Sequence, residues 1–189
     1  MMPFPFDLLP SSAVRSLSVR TGDFLFHEGD KTIGLFMPLN TSVHLIRTGH
    51  DGEATIIHRA SAGTWFAEAS IFSETYHCDA VAKGEGEVLK IEKAAVLRGM
   101  QDPLFATSFC HTISGQLQSL RQIREILAIR SAQDRVFAGL VAGLLVGTVV
   151  DFASTISLSQ EATFRALREL VKQGKIENRQ RGSYKLTDS

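Results

Sequence analysis

The chain has 189 residues, 44% hydrophobic and 21% charged, which is the composition of an ordinary globular protein able to bury a sizeable core. Its 20 Lys and Arg balance 20 Asp and Glu, so no whole-molecule field attracts nucleic acid or an anionic surface, and any such affinity must come from a local patch. Two cysteines, Cys78 and Cys110, are too few for a disulfide scaffold, a four-thiolate iron-sulfur cluster or a four-cysteine zinc site, and a reducing cytoplasm is the natural setting.

The apolar start, Met1-Met2-Pro3-Phe4-Pro5-Phe6, lacks the positive region and the long hydrophobic run of a signal peptide. Ser11 to Leu17 reads as a short capped helix. From Thr21 to Ile91 brief apolar runs alternate with turn residues: Phe24-Leu25-Phe26, Glu28-Gly29-Asp30, Leu35-Phe36-Met37, Val43 to Ile46, Asp51-Gly52, Thr55-Ile56-Ile57, and Val88 to Ile91. Strands at this spacing, with Asp51-Gly52 as a hairpin signal, predict a small antiparallel barrel or jelly roll.

A short helix follows around Ala94 to Met100, and Asp102-Pro103 opens a much longer one. Phe109, Ile113, Leu120, Ile123 and Leu127 fall on heptad-like positions, with Leu117 and Ile126 on the flanks, and Cys110 is expected in the core. A seam of this length is expected to face a second copy, because left alone it would be an exposed apolar patch. Ser131-Ala132-Gln133-Asp134 resembles a capping box, and the interdomain hinge is placed there. The next helix is expected over Arg135 to Leu145, overlapping a hydrophobic run, Val136 to Val150, read as a buried core helix ending near Gly147. That run is about 15 residues, short of the roughly 20 that span a membrane.

Val150 to Ile156 is a second short apolar segment, Leu158 lies in a tight connection, and Ser159 is a good N-cap for the helix that follows. Phe164, Leu167 and Val171 repeat at helical spacing as its apolar stripe. Gln160, Glu161 and Arg165 point away from that stripe, which is how a recognition helix offers polar groups to base edges. Gly174 is a plausible C-cap, and Ile176 and Tyr184-Lys185-Leu186 flank Arg179-Gln180-Arg181-Gly182 as a two-stranded wing. From Ser159 to Lys185 there are seven basic and three acidic residues, a local excess of +4 in a neutral chain.

Barrel, long seam helix and winged helix-turn-helix, in that order, resemble the family of bacterial regulators that includes the cyclic-AMP receptor protein and the fumarate-nitrate regulator. Phe26-His27-Glu28-Gly29-Asp30 is similar to the family's barrel turn, Gly63 to Phe72 to its phosphate-binding cassette, and Leu158 to Arg165 to the start of its recognition helix. The resemblance implies an effector pocket at Phe66, Ala67, Glu68, Ala69, Cys78 and Asp79, completed by Leu120 and Arg121 on the long helix. In the cyclic-nucleotide binders the cassette has Gly where Ala67 stands, keeps a Glu that takes the ribose hydroxyl, here Glu68, and places an Arg where Cys78 stands. Asp79 occupies a position where a small hydroxyl residue is usual. A cyclic phosphate would lose its bidentate cation and meet an extra anion, a loss of about 2–5 kcal/mol, so cyclic AMP is not the expected effector.

Tyr76-His77-Cys78-Asp79 is the densest group of reactive side chains, and a haem, metal or redox role there is the alternative, with His27, His44, His50, His58 or His111 as a second ligand. No HxH or HExxH pattern supports metal, no cupin metal set is present, and no nucleophile and base are paired, so no enzyme is expected. A module acting only through protein partners is the remaining alternative.

The expectation is therefore an α+β chain with a sensor barrel over 1–100, a dimerisation helix over 101–130 and a winged helix-turn-helix over 131–189. It is expected to be a cytoplasmic homodimer that binds double-stranded DNA, with an unidentified small-molecule effector, no required cofactor and RNA polymerase as a further partner. The DNA-facing set is Ser159, Gln160, Glu161, Thr163, Arg165 and Arg168 on the helix, with Lys175, Arg179 and Arg181 around the wing.

Overall fold

The computed structural model describes residues 4–180 and 182–187. The chain divides into two compact units, one ending at His111 and the other beginning at Thr112.

The first unit is a two-sheet barrel. Strands β1 (Val14–Val19), β7 (Gly86–Glu92) and β3 (Gly34–Pro38) form one sheet in the order β1-β7-β3. Strands β2 (Phe24–Phe26), β6 (Asp79–Ala82), β4 (Val43–Thr48) and β5 (Ala54–Ala60) form the other in the order β2-β6-β4-β5, and all pairings are antiparallel. The Asp51-Gly52 hairpin joins β4 to β5, with Gly52 at φ +81. Inward residues of both sheets, including Val19, Phe26, Phe36, Val43, Leu45, Phe66, Tyr76, Ala80 and Val88, make one buried core. Gly34 is needed in β3 because a Cβ there would lie 2.0 Å from the Ile91 carbonyl oxygen of β7.

The segment expected as a helix from Ser11 to Leu17 is a single 3-10 turn, Ser11–Ala13, running into β1. Pairing decides this: Val14 to Val19 all find partners along Gly86 to Ile91, and a six-residue ladder outweighs a weak N-cap signal.

Helix α1 (Lys93–Gly99) closes the barrel, and α2 (Pro103–Ala128) follows with Pro103 at its first position and the Asp102 carboxylate accepting from the Phe105 amide at 2.9 Å. Phe105 and Phe109 are buried against Phe6 and Trp65 in the first unit. Ile126, near the other end of α2, enters the core of the second unit. Leu117 and Leu120, between them, are 47% and 59% exposed. Cys110, expected in the core, is exposed on α2: it follows the buried Phe109 by one position, about a quarter turn round the helix.

The second unit packs α3 (Ala132–Val141), α4 (Val149–Thr155) and α5 (Gln160–Lys172) against a hairpin of β8 (Ile176–Gln180) and β9 (Ser183–Leu186). The predicted caps are present: Ser131 Oγ accepts from the Asp134 amide at 3.3 Å, and Ser159 Oγ from the Ala162 amide at 3.1 Å. The hydrophobic run from Val136 to Val150 is not one helix. It stops at Val141, Gly143 takes φ +69, and Val141 and Val146 are exposed, because the chain must turn back for α4 to lay Phe152 on α3. Gly139 permits that crossing, since a Cβ there would meet the Phe152 ring at 2.9 Å. Among the described residues no helix is long and apolar enough to cross a membrane.

Candidate nucleic-acid interface and effector pocket

Helix α5 forms because Ser159 caps it, Glu161 lies in its first turn and Lys172 in its last, each complementing the helix dipole. Its inner stripe is Thr163, Ala166, Leu167 and Leu170, all at most 5% exposed. This corrects the expected stripe of Phe164, Leu167 and Val171: Phe164 and Val171 are 40% and 37% exposed, and only Leu167 faces inward. It also corrects Thr163, which was expected to face DNA. Thr163 is fully buried, and its hydroxyl donates to the Ser159 carbonyl at 3.0 Å, so it is a core residue that ties the cap to the first turn.

The outer face of α5 is Gln160, Glu161, Phe164, Arg165 and Arg168, positions one turn apart in two adjacent rows. Arg168 Nε donates to the Phe164 carbonyl at 3.4 Å, which lays that guanidinium along the helix. Lys175 is exposed beside the wing, with Nζ 5.6 Å from the centre of the Phe137 ring. Arg179 lies on β8 by its backbone, and Arg181 falls outside the described residues. Ser157, a non-glycine residue at φ +51 in the turn between α4 and α5, leads through Leu158 to the Ser159 cap of α5.

In the barrel, Phe66 pairs with Phe36 through two backbone hydrogen bonds of 2.8 and 3.2 Å, and Ala67 then turns at φ +71 into a 3-10 turn, Glu68–Ser70. The left-handed turn that glycine makes easily is thus made here by alanine, at some cost in strain. His77 Nδ1 shares a hydrogen bond of 2.8 Å with Ser70 Oγ and holds the end of that turn.

The expected pocket residues separate into two groups. Phe66, Ala67 and Cys78 belong to the barrel core, and Phe66 is fully buried beside Phe36 and Phe26. Glu68 is half-buried and Ala69 exposed. Asp79 does not aim its carboxylate at the cassette. Its Oδ1 accepts from the Glu28 amide at 2.8 Å and lies 3.4 Å from His27 Nδ1, which joins β6 to the turn after β2. Leu120 and Arg121 are exposed on α2, in the second unit.

Burial pushes the Cys78 thiol above its ordinary pKa, Arg47 lowers it, and Asp79, Glu28 and Glu68 raise it further. A thiol held protonated in this way is a poor redox sensor at neutral pH. Burial also raises the Glu68 carboxyl, against the lowering effect of a backbone hydrogen bond. Among the described residues no group of three or more His, Cys, Asp or Glu is placed to hold a metal.

Sequence reasoning passed over Arg47. Ile46 of β4 pairs with Asp79, so Arg47 comes alongside Cys78, and its Nε and Nη2 donate to the His77 carbonyl at 3.3 and 3.1 Å. The signal was present in β4: Val43 and Leu45 face the core, so Arg47 follows on the same face.

The two units together define a class of architecture: a cyclic-nucleotide-type barrel, a long helix and a winged helix-turn-helix. Residues 16–102 match the family described as the cyclic nucleotide-binding domain. Over most of its length the chain is similar in fold to the following solved structures. It superposes on FixK2 from Bradyrhizobium japonicum with a TM-score of 0.70 at 18% identity, covering 93% of each chain. It superposes on the c-di-GMP responsive global regulator CLP of Xanthomonas campestris with a TM-score of 0.63 at 17% identity, covering 94% of this chain and 96% of that one. For the Thermus thermophilus catabolite activator protein the values are 0.53 and 22%, covering 93% and 86%. No curated protein sequence matches the chain.

Proposed function

We propose that this protein is a homodimeric, sequence-specific DNA-binding transcription regulator of the cytoplasm, with the barrel as its sensor. The observation that carries the reading is the outer face of α5. Gln160, Glu161, Arg165 and Arg168 stand exposed in adjacent rows on a helix whose opposite side is packed shut, followed by a basic wing in a chain of zero net charge. Arg165 is assigned to guanine, Gln160 to adenine and Glu161 to a cytosine amino group, each worth roughly 1–3 kcal/mol of discrimination. Arg168, Lys175, Arg179 and Arg181 are assigned to phosphate.

The dimer reading rests on Leu117 and Leu120, large apolar side chains exposed in the middle of a 26-residue helix. Two recognition helices would then enter successive major grooves, with half-site centres roughly 34 Å apart. RNA polymerase at the promoter is the further partner that a regulator of this kind implies.

The effector is not cyclic AMP in this reading. Cys78 and Ala67 are packed into the core where the nucleotide binders need a cation and a glycine, and the nearest guanidinium, Arg47, approaches from β4. Relatives of the same fold serve different signals, as the description of CLP as c-di-GMP responsive illustrates for that protein.

The test is to incubate the purified full-length protein with fragmented genomic DNA at moderate salt and sequence what is retained, with and without a cell metabolite extract. A two-fold symmetric motif supports the reading. Retention without any shared motif in either condition would reduce the head to a non-specific phosphate binder and sink it.

A further inference from the structure

The second unit contains a side chain that ties two backbone segments together. Arg135, in the first turn of α3, is half-buried. Its Nε and Nη2 donate side by side to the Ile129 carbonyl at 2.8 and 2.6 Å, and its Nη1 donates to the Ile156 and Ser157 carbonyls at 3.4 and 3.3 Å. Ile129 lies in the short segment between α2 and α3. Ile156 and Ser157 form the turn between α4 and α5, two residues before the Ser159 cap of the recognition helix.

We infer that Arg135 is a specificity-determining clamp: it fixes the angle of the recognition helix to the end of the long helix, and so sets the spacing between half-sites that the dimer accepts. The inference rests on the DNA-binding dimer reading above and adds to it a residue that touches no base.

The physical case is geometric. A guanidinium is planar and offers donors on two edges, so one Arg can hold acceptors on opposite sides at once, which the point charge of a Lys cannot do. Here one edge holds the exit of the helix that carries Leu117 and Leu120, and the other holds the turn that starts α5. The turn needs holding, because Ser157 sits at φ +51, where a residue with a Cβ is strained. The helices of the head have their own core of Val136, Phe152, Ile156, Leu167 and Leu170, so loss of the clamp leaves α5 packed within the head. What loosens is the connection of the whole head to the end of α2, where Ile126, buried in the head core, remains as the other tether.

This separates two kinds of specificity. Base preference within a half-site depends on the outer face of α5 and is expected to survive. Preference for one half-site separation depends on how rigidly the head is held to α2 and is expected to relax.

The experiment is a selection from a DNA library carrying two copies of the wild-type half-site at varied separation, read by sequencing, for the full-length wild type, Arg135→Ala and Arg135→Lys. Thermal unfolding of each variant accompanies it. For the wild type, one separation should dominate its neighbours. For both variants the half-site sequence should remain, and the preference for that separation should fall by about tenfold, the worth of one charge-assisted hydrogen bond. Unchanged separation preference in a folded Arg135→Lys protein would overturn the clamp while leaving the regulator reading intact. Failure of the wild type to select any two-fold site would overturn both. If Arg135→Ala is too unstable to assay, Arg135→Lys alone decides.

Discussion

Tyr76 and Gly34 are joined in both directions: the tyrosine hydroxyl donates to the Gly34 carbonyl at 2.9 Å and accepts from the Gly34 amide at 3.1 Å. It also accepts from the Ile33 amide at 3.1 Å, while its ring stacks on Phe26 with centroids 3.7 Å apart. One residue thus links the end of the cassette loop to the start of β3 and to the barrel core, and burial raises its phenol pKa accordingly. Tyr76→Phe keeps the stack and removes the hydroxyl. We expect a loss of roughly 1–3 kcal/mol, the usual cost of leaving buried backbone groups without their partner. Urea unfolding checks this, and an unchanged midpoint would mean that water replaces the hydroxyl.

Ser157 and Ala67 both hold a left-handed backbone, at φ +51 and +71, but their surroundings differ. Ser157 is exposed, so Ser157→Gly relieves strain without giving up a buried side chain. Strain of about 1–2 kcal/mol against an added chain entropy of about 0.4–1 kcal/mol leaves a net gain of roughly 0.5 kcal/mol. Ala67 is buried, and Ala67→Gly also forfeits a methyl worth about 0.8 kcal/mol, which cancels the gain. Guanidinium denaturation should therefore show Ser157→Gly above the wild type and Ala67→Gly level with it or below.

Glu68 has its carboxyl pKa raised above 4.5 by burial. A group whose folded pKa is raised favours the folded state fully below its unfolded pKa, and that contribution disappears as pH climbs through the folded value. At pH 7 the buried charge therefore works against folding. Glu68→Gln should raise the melting temperature at pH 7 and leave it nearly unchanged near pH 3, where the wild-type carboxyl is already neutral. An equal gain at both pH values would assign the effect to packing rather than to charge.

Thr163 and Arg165 lie two positions apart on α5 and should behave oppositely. Thr163→Val keeps the volume of a fully buried side chain and loses one hydrogen bond, about 1 kcal/mol of stability, with no change in the selected DNA motif. Arg165→Ala should leave the melting temperature alone and relax one position in each half-site by roughly 1–3 kcal/mol. Selection and sequencing of bound sites for the two variants, beside their melting curves, checks both expectations.

Much of the architecture is legible in the sequence. Caps and turns are local chemistry, so Ser131, Ser159, Asp102-Pro103, Asp51-Gly52 and Gly174 could be read in place, and with them the barrel, the long helix and the winged head. The structure departs from the expectation where a pattern has two solutions. Phe164 and Val171 fit a helical stripe as well as Ala166 and Leu170 do, and spacing alone cannot say which stripe meets α3 and α4. Ser11 to Leu17 has a helix-like start, yet β7 offered it a full ladder.

The order of elements, the basic excess from Ser159 to Lys185 and the absence of a cassette arginine were determined by sequence alone, because each depends only on which residues follow one another. Tertiary structure decided which residues face one another: that Cys78 joins the core with Arg47 beside it, that Asp79 turns to the Glu28 amide, that Thr163 is inside, and that Arg135 spans from Ile129 to Ser157. Those contacts join residues up to 51 positions apart, and only the packing of the sheets and helices, which buries apolar surface and pairs most buried polar groups, brings them within reach.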